Sequence, residues 1–191
     1  GFQLLGKHPQ QNRQRQEGPH AHGVTFAPAG GFVFVPDLGL DQVIGYRVTP
    51  SSPPLEAVST ATAGVPPGAG PRHLAFHPNG RFAYAVNELD ATLTQFAWDA
   101  AAAELKPLRT VKTLPAEATM HHTSADIMVH PNGRVLYVSN RGHDSLAVLA
   151  LDAATGAPTL VQNEPAGGRA PRCFALDPSG RWIVSASQDD D

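Results

Sequence analysis

Short apolar runs separated by tight polar turns set the rhythm of this chain. Leu74-Ala75-Phe76 leads into Pro78-Asn79-Gly80-Arg81, and Phe82-Ala83-Tyr84-Ala85-Val86 follows with its aromatic residues alternating at period two. Proline followed by Asn-Gly between two such runs is a tight-turn signal. A polar corner, Asn87 to Ala91, precedes a third strand, Thr92 to Trp98, and a looser fourth, Leu105 to Leu114. The alanines from 100 to 103 have the composition of a helical turn but are too few to stand alone.

The same phrase occurs four times: Phe26-Ala-Pro-Ala-Gly-Gly-Phe-Val-Phe-Val-Pro-Asp37, Phe76 to Asn87, Val129-His-Pro-Asn-Gly-Arg-Val-Leu-Tyr-Val-Ser-Asn140, and Leu176-Asp-Pro-Ser-Gly-Arg-Trp-Ile-Val-Ser-Ala-Ser187. Its prolines stand at 28, 78, 131 and 178. Four antiparallel strands repeated about every 50 residues are the blades of a β-propeller. The expectation is therefore an all-β chain whose residues 19–191 form a partial propeller. Its blades are expected at about 20–62, 71–114, 123–164 and 170–191, the last stopping after its second strand. About three and a half blades leave open sheet edges. The chain is thus expected to belong to a longer propeller, or to be completed by a second copy. Residues 1–18, rich in Gln and Arg, read as a polar loop or a connection between blades.

The repeat register sorts residues by rim. The first strand of a blade runs toward the Pro-Asn-Gly turn and the second runs back, so the residue before the first meets the residue after the second. In the second blade these are Arg72 and Glu88. The first position carries His22, Arg72, Ala125 and Arg172 along the repeats, and the second carries Leu38, Glu88, Arg141 and Gln188. One rim thus gathers His22, Arg72, Glu88, Arg141 and Arg172, with His20, His73, His122 and Asp126 beside them. The opposite rim repeats Gly31, Arg81, Arg134 and Arg181, and that sameness marks a turn residue of the fold. Clustered arginines suit a carboxylate or phosphate, which a guanidinium grips with two parallel hydrogen bonds. A neighbouring Glu or His supplies acid–base chemistry. The blander reading of Arg72 and Glu88 is an ion pair tying two strands, and for Arg141 a pair with Asp144.

Composition narrows the partners. Formal net charge is -3, which gives no reason to expect nucleic acid or an anionic membrane surface. The 18 Gly and 18 Pro fall in register with the strands, so they are turn chemistry. The single cysteine, Cys173, excludes an internal disulfide and fits a reducing compartment, here the cytoplasm; beside Arg172 it reads as a small buried hydrophobe. Trp98 and Trp182 read as strand packing. His77 and His130 precede the turn proline and read as turn residues, with Asp177 in their place in the fourth repeat. His20, His22, His121 and His122 offer imidazoles, but no third ligand is fixed by spacing, so no metal site is expected. No Gly-x-Ser-x-Gly motif is present.

Gly70-Pro-Arg-His-Leu-Ala-Phe-His-Pro-Asn-Gly-Arg-Phe-Ala-Tyr-Ala-Val-Asn-Glu-Leu89 resembles the seven-bladed propeller lactonases. That family includes propeller-type 6-phosphogluconolactonases and the fungal 3-carboxy-cis,cis-muconate lactonizing enzyme. Pro19-His-Ala-His22, Val35 to Asp41, Tyr137-Val-Ser-Asn-Arg-Gly-His-Asp-Ser145, Pro171-Arg172 and Asp177-Pro-Ser-Gly180 agree with it, so the resemblance spans about residues 17–191. It implies a seven-bladed ring, no metal or organic cofactor, and a site of one His, two Arg and one Glu at His22, Arg72, Arg141 and Glu88. The repeat register selects the same four. His20, His73, Asp126 and Arg172 are the expected substrate-binding residues, and the expected partner is a small anionic lactone or carboxylate. Hydrolysis of a sugar lactone, above all 6-phosphogluconolactone, is the leading expectation. Reversible lactonization of a carboxymuconate is the alternative, and a non-catalytic propeller scaffold is the reading from another class.

Overall fold

Each turn phrase closes a β-hairpin, and the hairpins build four antiparallel sheets. The computed structural model describes residues 14–118 and 122–190. The first sheet holds β1 (Thr25–Phe26), β2 (Phe32–Asp37), β3 (Gln42–Val48), β4 (Leu55–Ala57) and β5 (Ala63–Gly64). The second holds β6 (Pro71–Phe76), β7 (Phe82–Asn87), β8 (Thr92–Asp99) and β9 (Glu104–Lys112) in that order. The third repeats it with β10 (Thr123–Val129), β11 (Val135–Arg141), β12 (Ser145–Leu151) and β13 (Pro158–Pro165). The fourth has two strands, β14 (Pro171–Leu176) and β15 (Ile183–Ser187). The all-β partial propeller read from the repeats is therefore the fold. One detail is new: the outer strand of the first blade is split. A 3-10 turn, Ser59–Ala61, divides it into β4 and β5, and both pieces pair with β3.

The leading strands carry a bulge that the repeat hides. β6 pairs with β7 as Pro71↔Asn87 and then as His73↔Val86, so Arg72 is the extra residue. The same shift occurs between Ser124 and Ile127 in β10, and between Pro171 and Cys173 in β14. Arg72, the pair Ala125 and Asp126, and Arg172 thus stand at three corresponding irregularities, where an extra residue re-aims the side chains.

Apolar side chains pack between blades. Phe34, Val43, Leu74, Phe96 and Trp98 join the first two sheets, and Trp98 meets Phe32 and Phe34 edge to face at centroid distances of 5.2 and 5.0 Å. Tyr84, Leu93, Leu136, Val138 and Leu149 join the second and third. Burying such large side chains is the main stabilising term.

The turn rim adds polar staples. Asn79 N donates to His77 Nδ1 (3.1 Å), which leaves Nε2 to donate to Gly133 O of the next blade (2.8 Å). His130 repeats this, with Asn132 N donating to Nδ1 (3.1 Å) and Nε2 reaching Gly180 O (3.0 Å). The turn histidines therefore also fasten the second and third blades to their successors. Gly133 has φ +69, and a Cβ there would meet His77 Cε1 at 2.8 Å, so the staple needs a glycine.

Two expectations fail in the fourth sheet. Cys173 is exposed, not buried. Trp182 is 69% exposed and does not pack as Trp98 does. A strand residue is buried only where a second layer covers its face, and among the described residues nothing covers this one.

Candidate active site

Glu88 is the hub of the varied rim. It follows β7 directly, and its backbone is held on both sides: its N–H donates to Gly70 O (2.7 Å), and its carbonyl accepts from Ser124 N (3.2 Å). The preceding Asn87 is buried and donates to Thr92 Oγ1 (2.8 Å) and Thr94 Oγ1 (3.0 Å), which pins the strand end. Asn140 does the same one blade on. It is buried and accepts from Thr113 Oγ1 (2.9 Å) and Ser124 Oγ (2.7 Å), fixing the point from which Arg141 projects.

Three guanidinium groups converge on the Glu88 carboxylate, whose side chain is 3% exposed. Arg72 Nε lies 2.9 Å from Oε2, an ion-pair contact outside hydrogen-bond direction. Arg141 Nη2 lies 3.2 Å and Arg15 Nη2 2.8 Å from Oε1. Arg72 also donates from Nη1 to Ala125 O (2.6 Å) and to His73 Nε2 (3.1 Å). Arg141 Nη2 reaches Ser124 O at 3.4 Å. His22 completes the group, with Nε2 3.9 Å from Glu88 Oε2. The four residues expected from the register and the resemblance are therefore together in space.

A second pair adjoins the first. Because His73 Nε2 accepts from Arg72, its Nδ1 donates to Asp126 Oδ1 (2.8 Å). Asp126 also accepts from Ile127 N (2.9 Å) and Phe174 N (3.3 Å). The His22 and His73 rings meet edge on at 5.5 Å. His73 and Asp126 line an open cleft of about 230 Å³ with Gly23, Val24 and Thr25.

The remaining candidates lie outside this group. The His20 ring faces Glu17 (3.2 Å), on the segment that leads into the first blade. Arg172 is exposed and donates to Gln188 Oε1 (2.8 Å), the partner its register position assigns. The His122 ring meets His143 edge on at 5.5 Å, and His121 lies outside the described residues. No group of three or more His, Cys, Asp or Glu among the described residues is arranged to hold a metal ion.

Electrostatics separate the two candidate bases. Burial pushes the Glu88 carboxyl up, but the hydrogen bond from Arg15 and the charges of Arg141, Arg15 and Arg72 outweigh it and hold the pKa below the ordinary value. Glu88 is thus a carboxylate of suppressed basicity. The His22 pKa is also lowered, first by burial and then by the Arg72 charge, so its imidazole is neutral near pH 7. Its Nδ1 is buried with no hydrogen-bond partner among the described residues. Burial raises Asp126, yet the hydrogen bonds from His73 and from Ile127 N keep it below the usual carboxylate range.

Arg15 is the site residue that the sequence reading missed. It lies in the segment read as a polar loop, 73 residues from Glu88. It has no counterpart in the repeated phrase, so the register carried no signal for it.

A model of the seven-bladed β-propeller lactonases matches residues 2–191. The chain belongs to that lactonase family. Family members resemble it at moderate identity. It is 33% identical to the 6-phosphogluconolactonase of Bacillus subtilis over 96% of this chain and 51% of that protein. It is 37% identical to that of Pectobacterium carotovorum over 87% of this chain and 50% of that protein. Among solved structures, the periplasmic gluconolactonase PpgL of Pseudomonas aeruginosa superposes with a TM-score of 0.84 at 38% identity, covering 91% of this chain and 48% of that one. A protein from Lactobacillus plantarum gives 0.85 at 36% identity, covering 92% and 50%. This lactonase-family chain thus spans about half the length of the relatives it matches. No helix among its described residues is long and apolar enough to cross a membrane.

Proposed function

We propose that the cluster of His22, Arg72, Glu88 and Arg141 is a lactone-hydrolysing centre and that its substrate is 6-phosphogluconolactone. The observation that carries this reading is a buried carboxylate under three guanidinium groups with a neutral imidazole at its edge. Relatives named 6-phosphogluconolactonase support the choice of lactone.

In this reading Glu88 is the anion that holds the arginines in place, and His22 is the general base. His22 takes a proton from water as the oxygen attacks the lactone carbonyl. The guanidinium groups of Arg72 and Arg141 stabilise the oxyanion that forms. The ring C–O bond then breaks, the departing alkoxide takes the proton from the His22 imidazolium, and His22 returns to its neutral state. Products are a hydroxyl and a carboxylic acid, which loses its remaining proton to solvent as a carboxylate. His73 and Asp126 contact the remainder of the substrate along the cleft, and further blades or a second copy wall its far side. The charge of a phosphorylated sugar confines it within a cell, so we assign this activity to the cytoplasm, unlike the periplasmic Pseudomonas relative.

The test is an assay of 6-phosphogluconolactone above its spontaneous hydrolysis, with 3-carboxymuconolactone in parallel. The parent is expected to hydrolyse the first, and His22→Gln to slow it about 100-fold or more. Turnover of the muconolactone alone would make the protein a cycloisomerase, and turnover of neither would make it a non-catalytic scaffold.

A further inference from the structure

Arg15 reaches the site on a segment whose docking is built into the fold. The next residue, Gln16, is 1% exposed; its Nε2 donates to Leu38 O (2.9 Å) and Asp41 Oδ1 (2.8 Å). Further along, His20 N donates to Asp37 Oδ1 (2.8 Å) and Leu38 N donates to His20 O (2.9 Å). Gly39 packs so closely on the Gly18 carbonyl that a Cβ there has no room. The strap is thus fixed to the β2–β3 corner, and Arg15 projects from an anchored backbone.

The three arginines on Glu88 differ in how far they are exposed. Arg72 is buried, and its other nitrogen contacts are Ala125 O and His73. Arg141 is mostly buried and also reaches Ser124 O. Arg15 is 47% exposed and forms the outer lip of the cluster. Three guanidinium charges against one carboxylate leave the centre with positive charge in excess. An uncharged sugar lactone places no anion against that excess; a phosphomonoester does, and a planar guanidinium grips its oxygens in parallel.

We propose that Arg15 selects phosphorylated over unphosphorylated lactones by binding the substrate phosphomonoester. The inference rests on the lactonase reading for its substrate class. On substrate arrival the Arg15 fork engages phosphate oxygens, while Arg72 and Arg141 stay on Glu88 and face the reacting carbonyl.

The experiment measures kcat/KM of the full chain for 6-phosphogluconolactone and glucono-1,5-lactone, with Arg15→Ala and Arg15→Lys. Any loss that Arg15→Ala transmits through Glu88 is common to both substrates and cancels in their ratio. The ratio is expected to fall roughly 10- to 100-fold, the worth of one charge-assisted contact, mainly through KM, with Arg15→Lys between the two. A ratio equal to the parent's overturns the proposal. Calorimetric binding of 6-phosphogluconate and gluconate separates this from the lactonase reading. If the parent turns over neither lactone but binds 6-phosphogluconate, and Arg15→Ala weakens that binding without weakening gluconate, phosphate selection stands and hydrolysis falls. If the parent binds 6-phosphogluconate no better than gluconate, Arg15 selects nothing.

Discussion

Arg72 is the extra residue of the bulge between β6 and β7, and its Nε lies 2.9 Å from Glu88 Oε2 across the strand ends. A regular ladder gives every residue an opposite partner and alternates side chains between the faces. The bulge frees one position from that alternation, so a strand residue points along the rim and meets the residue that follows the hairpin. The pairing joins a feature of local backbone geometry to the electrostatic centre of the site.

Glu88→Gln removes the carboxylate that Arg15, Arg72 and Arg141 share. Leaving buried charges without a counter-charge costs about 3 kcal/mol, read as a lowered urea midpoint at pH 7. Because the folded-state pKa of Glu88 lies below its ordinary value of 4.5, the stability it contributes is fully present above that pH and is lost as pH falls toward the folded value. The gap between parent and variant should therefore narrow below about pH 4.5. A gap that stays constant with pH would detach Glu88 from the arginines.

His22 acts as a base only when neutral, and burial together with Arg72 lowers its pKa from 6.5. The profile of kcat/KM for the lactone should rise with pH through a single pKa below that value and then level. His22→Gln should lose both the limb and about 100-fold or more of the rate. An unchanged acid limb in the variant would assign the titrating group elsewhere.

The turn staples are separable from catalysis. His77 is buried and its Nε2 donates to Gly133 O, whereas His130 is only partly buried. His77→Ala should cost about 1–3 kcal/mol by urea denaturation, His130→Ala less. Both should retain the parent's kcat, because they lie on the rim opposite Glu88. A greater loss from His130→Ala would show that burial does not set the strength of these bonds.

Gly39→Ala places a Cβ against the Gly18 carbonyl, which should lift the strap from the β2–β3 corner. Native trypsin cleavage after Arg15 should then accelerate about tenfold or more over the parent, as local opening becomes easier. Cleavage at the parent rate would mean that the strap does not depend on this contact.

The blade pattern was legible because a propeller blade is a run of hairpins, and hairpins are encoded by neighbouring residues. The same locality placed Arg72 opposite Glu88 and carried the rim to Arg141 and His22. It did not reveal the bulge, because β6 opens Pro71-Arg72-His73, with no alternation of apolar and polar residues there for an extra one to interrupt. Arg15 was invisible for another reason: its partner is 73 residues away and its segment does not repeat. Cys173 and Trp182 were misjudged because strand membership predicts one buried face only where another sheet lies against it.

Repeating turn chemistry and period-two alternation determined by themselves that this chain forms antiparallel blades, and which residues share a rim. Tertiary structure alone decided that three arginines close on one carboxylate, that His22 stays neutral beside them, and that a strap from outside the repeats supplies Arg15. The physical reason is range. Hairpin geometry depends on residues a few positions apart. The ionisation and partners of Glu88 depend on burial and on charges drawn from separate blades, and only packing brings those together.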